Sequence, residues 1–213
     1  MNTLLRIWKT KEVRNSLLFI LVMLVIFRLT AHIPVPGIDA LALANIFQGN
    51  QFFGLLNIFS GGTLDNFSVV AMGVMPYITA SIIFQLLGMI LPAVEEMQKE
   101  EQGRQKINQW TRFATVPLSI IQGYGLILLL SQQGQVFTNT GLTTMVFAIT
   151  SMTAGTIFLM WLGELISEKN IGNGISVMIL AGILAGLPTT LGQSIAVFDR
   201  SQLITLILFV VAT

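Results

Sequence analysis

Long apolar runs recur along the chain at 16–33, 67–91, 113–131, 142–163 and 171–191, interrupted by charge only at Arg28, and a sixth begins near Gln202. Each of the five holds about 18 to 25 residues, enough for a helix rising 1.5 Å per residue to cross an apolar layer of about 30 Å. A soluble domain could hardly bury five such runs. Inside lipid the backbone must satisfy its own donors and acceptors, so the runs predict membrane-spanning helices. A shorter apolar segment at 52–59 is too brief to cross by itself, and Ser60-Gly61-Gly62-Thr63 separates it from the second run. A half-length element leading into a full span is a device of channels and transporters near their pathway.

Composition agrees. Of 213 residues, 54% are hydrophobic and only 10% charged, against about 25% charged in soluble domains. The net charge of +1 comes without a basic patch, so nothing points to nucleic acid. The absence of cysteine excludes disulfides, thiol catalysis and cysteine-ligated metal. The basic start and apolar centre of the first run resemble a cleaved signal peptide, but four further spans argue for a retained helix.

Lysine and arginine set the orientation. Arg6, Lys9, Lys11 and Arg14 precede the first span; Lys99, Arg104, Lys106 and Arg112 lie between the second and third; Lys169 lies between the fourth and fifth. Nine of the eleven basic residues thus fall on one side, with the N-terminus cytoplasmic. Pro34 and Pro36 stop the first helix and open a long outer loop, 34–66. The inner loop, 92–112, balances Glu95, Glu96, Glu100 and Glu101 against four bases and reads as a solvated hairpin.

Intramembrane chemistry is sparse. Arg28 costs about 2.5–3.5 kcal/mol if central, which the aliphatic residues of its span offset. His32, the single histidine, has no partner cluster for proton or metal chemistry, and Glu164 sits at the inner end of the fourth span as an interfacial residue. The aspartates Asp39, Asp65 and Asp199 all fall in outer segments, so no acid pair supports an intramembrane hydrolase. The chain reads as no enzyme, with no cofactor. An ion-coupled secondary transporter is the alternative reading, but it requires midplane acids or a cation site that the spans do not offer.

Several stretches carry a resemblance. Phe27-Arg28-Leu29-Thr30-Ala31-His32-Ile33-Pro34-Val35-Pro36-Gly37-Ile38-Asp39 resembles the exit of the first helix in the SecY protein-translocation channel family. Asn57-Ile58-Phe59-Ser60-Gly61-Gly62-Thr63-Leu64 is similar to that family's plug, and Met75-Pro76-Tyr77-Ile78-Thr79-Ala80-Ser81-Ile82-Ile83 to its second helix. Gly103-Arg104-Gln105-Lys106-Ile107-Asn108-Gln109-Trp110-Thr111-Arg112 resembles the inner loop that follows. Thr153-Ala154-Gly155-Thr156, Phe158-Leu159-Met160-Trp161-Leu162-Gly163-Glu164 and Gly172-Asn173-Gly174-Ile175-Ser176 resemble helices four and five. The blocks occur in family order, cover almost the whole chain and are most like bacterial members.

The resemblance implies an all-α integral membrane protein of the bacterial cytoplasmic membrane, a polytopic helical bundle. It would be the first half of a ten-helix fold whose two halves have inverted topology, cut within its sixth helix and so a fragment of a longer chain. It implies a channel that passes unfolded secretory polypeptides and releases membrane segments sideways into lipid. Val74 and Ile78 are four apart and share one helix face, as do Ile175 and Ile179. The resemblance places all four in an apolar pore ring, with Val74 replacing the more usual isoleucine. It implies a plug over 52–67, including Ser60, Gly61, Gly62, Thr63, Leu64, Asp65 and Asn66. The second helix would form one side of a lateral gate with Ile82 and the mid-helix amide Gln85, which would face the absent seventh helix. Pro76 would permit that helix to bend, and Thr79, Ala80 and Ser81 would keep it thin. Implied partners are a SecE-like clamp, a SecG-like accessory subunit, the SecA motor ATPase, ribosomes, signal sequences, unfolded chains and membrane lipid, with no nucleic acid substrate.

Overall fold

The computed structural model describes residues 11–35, 38, 42–43, 63–64, 67–133, 141–169 and 172–196, with 12, 133 and 186–196 by backbone alone. Six helices follow one another among them: α1 (Lys11–Thr30), α2 (Met75–Ile90), α3 (Pro92–Lys99), α4 (Glu101–Gln133), α5 (Leu142–Ser167) and α6 (Gly174–Ala196). The described residues form a helical bundle of the membrane type. Three of the helices are individually long and apolar enough to cross a membrane: Val13–Thr30, Glu101–Gln132 and Leu142–Ser167. A fourth crossing exists if α2 and α3, bent by 110° at Leu91, are taken together. In α6 the apolar stretch with described side chains is Gly174–Ala185. The sixth span expected from Gln202 lies outside the described residues.

Two expected boundaries move. The run 67–91 is not one helix: residues 67–74 form successive turns, and α2 starts only at Met75. Phe67 (φ 39°) and Gly73 (φ 56°) take left-handed backbone, which no α-helix accommodates. Pro76 therefore stands in the first turn of α2, where its missing N–H is harmless, and does not bend the helix as expected. The inner loop 92–112 is also helical. Pro92 opens α3, Lys99 pairs with Glu95 at 2.7 Å one turn back, and α4 starts at Glu101, twelve residues before the apolar run at 113. That ion pair holds the Glu95 carboxyl below its usual pKa. Charge ends an apolar run without ending a helix. Pro117 lies within α4, where it removes one backbone hydrogen bond.

α5 is the axis of the packing. Its Ala148 and Met152 join Val35, Leu43, Leu64, Phe67, Ala71, Met72, Ile127 and Leu130 in one buried cluster. Its Leu159, Leu162 and Ile166 join Ile20, Phe27, Ala31, Val70, Val74, Ile175 and Met178 in a second. The turns at 67–74 feed both clusters. α2 packs chiefly on α4: Gln122 Nε2 donates to Thr79 Oγ1 at 3.2 Å, and the Phe84 and Trp110 rings lie 6.4 Å apart. α3 folds back onto the same pair, with Gln98 Nε2 donating to the Phe84 carbonyl at 3.4 Å.

Candidate pore-lining site

The four aliphatic residues singled out by spacing and resemblance meet in one place. Val74 and Ile175 are buried members of the second cluster, and Ile78 and Ile179 pack against it half-buried. Val74 is the residue that caps α2, and its carbonyl accepts the Ile78 N–H at 3.0 Å, so the two are stacked one turn apart. Ile175 is the second residue of α6, and Ile179 follows one turn later. Both pairs thus occupy the first turns of their helices.

Local chemistry holds the α6 pair in place. Asn173 Oδ1 accepts the N–H groups of Ile175 at 3.0 Å and Ser176 at 3.2 Å, an asparagine N-cap. Ser167 Oγ accepts the Gly174 N–H at 2.8 Å while donating to the Gly163 carbonyl at 2.9 Å. A Cβ on Gly174 would run into that carbonyl, and one on Gly163 would come within 2.7 Å of Ile175 Cγ1. The start of α6 is therefore seated directly on the α5 backbone, with Ile175 against Gly163. Spacing alone did not reveal Asn173 or Ser167 as anchors, although an asparagine ahead of a helix start is a legible cap. Phe158, Leu162 and Met178 also line the cluster, and nothing in the sequence distinguished them from other apolar residues.

The polar candidates fall around this centre. Gln85 is exposed, and its Nε2 donates to Ser81 Oγ at 3.3 Å one turn back on α2. Ile82, 48% exposed, shares the uncovered side of α2 with Ile83, Leu86, Met89 and Ile90. Of the plug candidates, Ser60, Gly61, Gly62, Asp65 and Asn66 lie outside the described residues, and Thr63 and Leu64 are buried. Arg28 stands in the last turn of α1, where a cation suits the helix C-terminus. Its carbonyl accepts the His32 Nδ1–H at 2.7 Å. Glu164 pairs with Arg112 Nε at 2.5 Å, tying α5 to α4. Their charges were visible in sequence, but their pairing across 52 positions was not.

The SecY family model matches residues 68–213. The protein translocase subunit SecY of Pseudomonas aeruginosa is 48% identical over 186 residues, which are 86% of this chain and 42% of that protein. The subunit of the same name from Escherichia coli K12 is 45% identical over 208 residues, 94% of this chain and 47% of the relative. That of Bacillus licheniformis is 46% identical over 195 residues, 90% and 45%. The chain spans about half the length of the curated relatives it matches.

Proposed function

The chain belongs to the SecY family, and from that premise we propose that it forms one wall of a protein-conducting channel for unfolded secretory polypeptides. The observation that carries this reading is the convergence of Val74, Ile78, Ile175 and Ile179 on one apolar cluster fed by two helix starts. A pathway for any sequence must not bind side chains, yet must hold back ions when empty. A constriction of aliphatic side chains meets both demands, because it yields around a moving chain and dewets without one. The plug, 52–67, covers the ring on the outer side. Ile82 and Gln85 belong to a lateral gate that passes signal sequences and membrane segments into lipid, and the uncovered apolar side of α2 fits that role.

The distribution of basic residues supports a cytoplasmic N-terminus, and the bacterial relatives support the bacterial cytoplasmic membrane as its location. The channel hydrolyses nothing. Energy comes from a SecA-type motor ATPase or from ribosomal synthesis, with SecE-like and SecG-like subunits completing the assembly. The relatives' names favour the channel over an ion-coupled transporter.

Photocrosslinkers at the four ring positions, in a complete and active channel, are expected to capture a stalled secretory chain. Capture at Leu18 and Leu21 on the exposed side of α1 but never at the ring would refute the assignment. Deleting residues 53–62, the part of the plug ahead of Thr63, is expected to preserve export and raise resting ion leak; unchanged leak would count against the plug.

A further inference from the structure

Between α1 and α2, residues 33–35 lock onto residues 63–64 and 67–74 without forming a helix. Pro34 and Ser68 stand opposite one another in an antiparallel bridge. The Val35 N–H donates to the Phe67 carbonyl at 3.0 Å and the Val69 N–H to the Ile33 carbonyl at 2.9 Å. Within 63–74, Ser68 donates to the Thr63 carbonyl at 3.1 Å, Phe67 to that of Leu64 at 2.9 Å and Ala71 to that of Ser68 at 2.8 Å. The side chains are held no less firmly than the backbone: Thr63, Leu64, Phe67, Ser68, Val70 and Ala71 are all buried. On the opposing helix, a Cβ at Gly155 would strike the Val69 carbonyl, so only glycine lets α5 seat this closely. Phe67 holds a left-handed φ of 39°, a conformation a bulky residue keeps only where its surroundings over-determine it.

We propose that 33–35, 63–64 and 67–74 form a fixed abutment that stays in place while a polypeptide passes, so that displacement of the plug stops short of Thr63. The inference rests on the channel reading above. Its physical basis is that non-helical backbone at membrane depth is tolerated where it is buried in protein or lines a water-filled cavity, and residues 63–64, 67–68 and 70–74 are buried in protein. Moving this stretch would break its interlocking bonds and strip it from both apolar clusters at once. Thr63 and Leu64 then belong to the immobile part, although resemblance groups them with the plug. Gly155 is a positioning residue for the abutment, and Val74, at the far end of the same stretch, keeps its place in the ring when the plug leaves.

The chain has no cysteine, so a Pro34→Cys/Ser68→Cys pair supplies the only thiols within these 213 residues, and the unsubstituted translocase reads any thiol elsewhere. The two residues form a non-hydrogen-bonded bridge pair, with Cα atoms about 4.5 Å apart, within the span of a disulfide. The test is secretory-protein transport into proteoliposomes by the complete translocase whose channel subunit carries this chain, oxidised and then reduced, with bond formation followed by a maleimide gel shift. The expected result is efficient bridging with no loss of transport. Transport that stops on bridging and returns on reduction would overturn the fixed abutment and leave the channel reading intact. A pair that fails to bridge would remove the juxtaposition on which the abutment stands. No transport by the unsubstituted protein would bring down the channel reading itself, and the abutment with it.

Discussion

α1 and α5 have nearly equal hydropathy, yet 11% of the α1 window is buried against 44% of the α5 window. In water such similar helices would compete for the core. In lipid they do not, because acyl chains are as apolar as leucine and hydropathy no longer sorts inside from outside. What differs is the size and kind of residue. α1 turns Leu17, Leu18, Leu21, Val22, Val25 and Leu29 outward. α5 brings Ala148, Gly155 and Gly163 to its neighbours and lets backbones touch. It also carries Thr153 and Thr156, whose buried hydroxyls have no hydrogen-bond partner among the described residues, so close packing has been kept at some polar cost. Position in the bundle is written in small residues rather than in apolar ones.

The sharpest way to break this comparison is to add bulk. Gly155→Val on α5 forces a Cβ into the Val69 carbonyl, with two methyl groups beyond it, and that backbone cannot yield without straining the Val69 N–H bond to the Ile33 carbonyl. The cost is expected at or above the upper end of about 1–3 kcal/mol for overpacking, read as a fall in thermal stability in nanodiscs. Val22→Leu on α1 should leave the same measurement unchanged.

Removing bulk is next. Met152 is fully buried in α5, and Met152→Ala should cost about 2 kcal/mol, the low end of the range for large-to-small core changes. Leu18→Ala, 55% exposed on α1, should stay within about 0.5 kcal/mol. Equal losses at the two sites would mean that burial does not distinguish these helices.

The smallest effect concerns charge. Glu164→Gln on α5 removes the charge but not the acceptor from the pair with Arg112, whose side chains are 22% and 48% exposed, and should cost about 1 kcal/mol or less. The swap Arg112→Glu/Glu164→Arg should recover part of it in a double-mutant cycle. Zero coupling would make the pair an incidental contact.

Much of this architecture was legible. The apolar runs located α1, α4 and α5, and the motif blocks pointed to the family before any geometry. The start of α2 was hidden because residues 67–74 are as uncharged as a helix: buried turns and buried helices obey the same rule about charge. The start of α4 was hidden for the opposite reason, since Arg104, Lys106 and Arg112 end an apolar run but favour a helix that continues into water. The ring pairs could be written down from spacing four. What brings Val74 to Ile175 could not, because it depends on Gly163 and Gly174, 89 and 100 residues further along the chain, bringing α5 and α6 together.

The length of α4 has a mechanical consequence. Its 33 residues make a rod of about 50 Å, well beyond an apolar layer of about 30 Å, so its first turns extend past such a layer as a stalk braced by α3 and by the Phe84–Trp110 contact. Pro117 is a soft joint near the foot of that stalk, where the rod lacks one of its internal ties. Arg112, five residues above the joint, is strapped to α5 through Glu164. A sideways load on the stalk is therefore shunted across the strap into α5 before it reaches the joint, and the submerged length of α4 is left unbent.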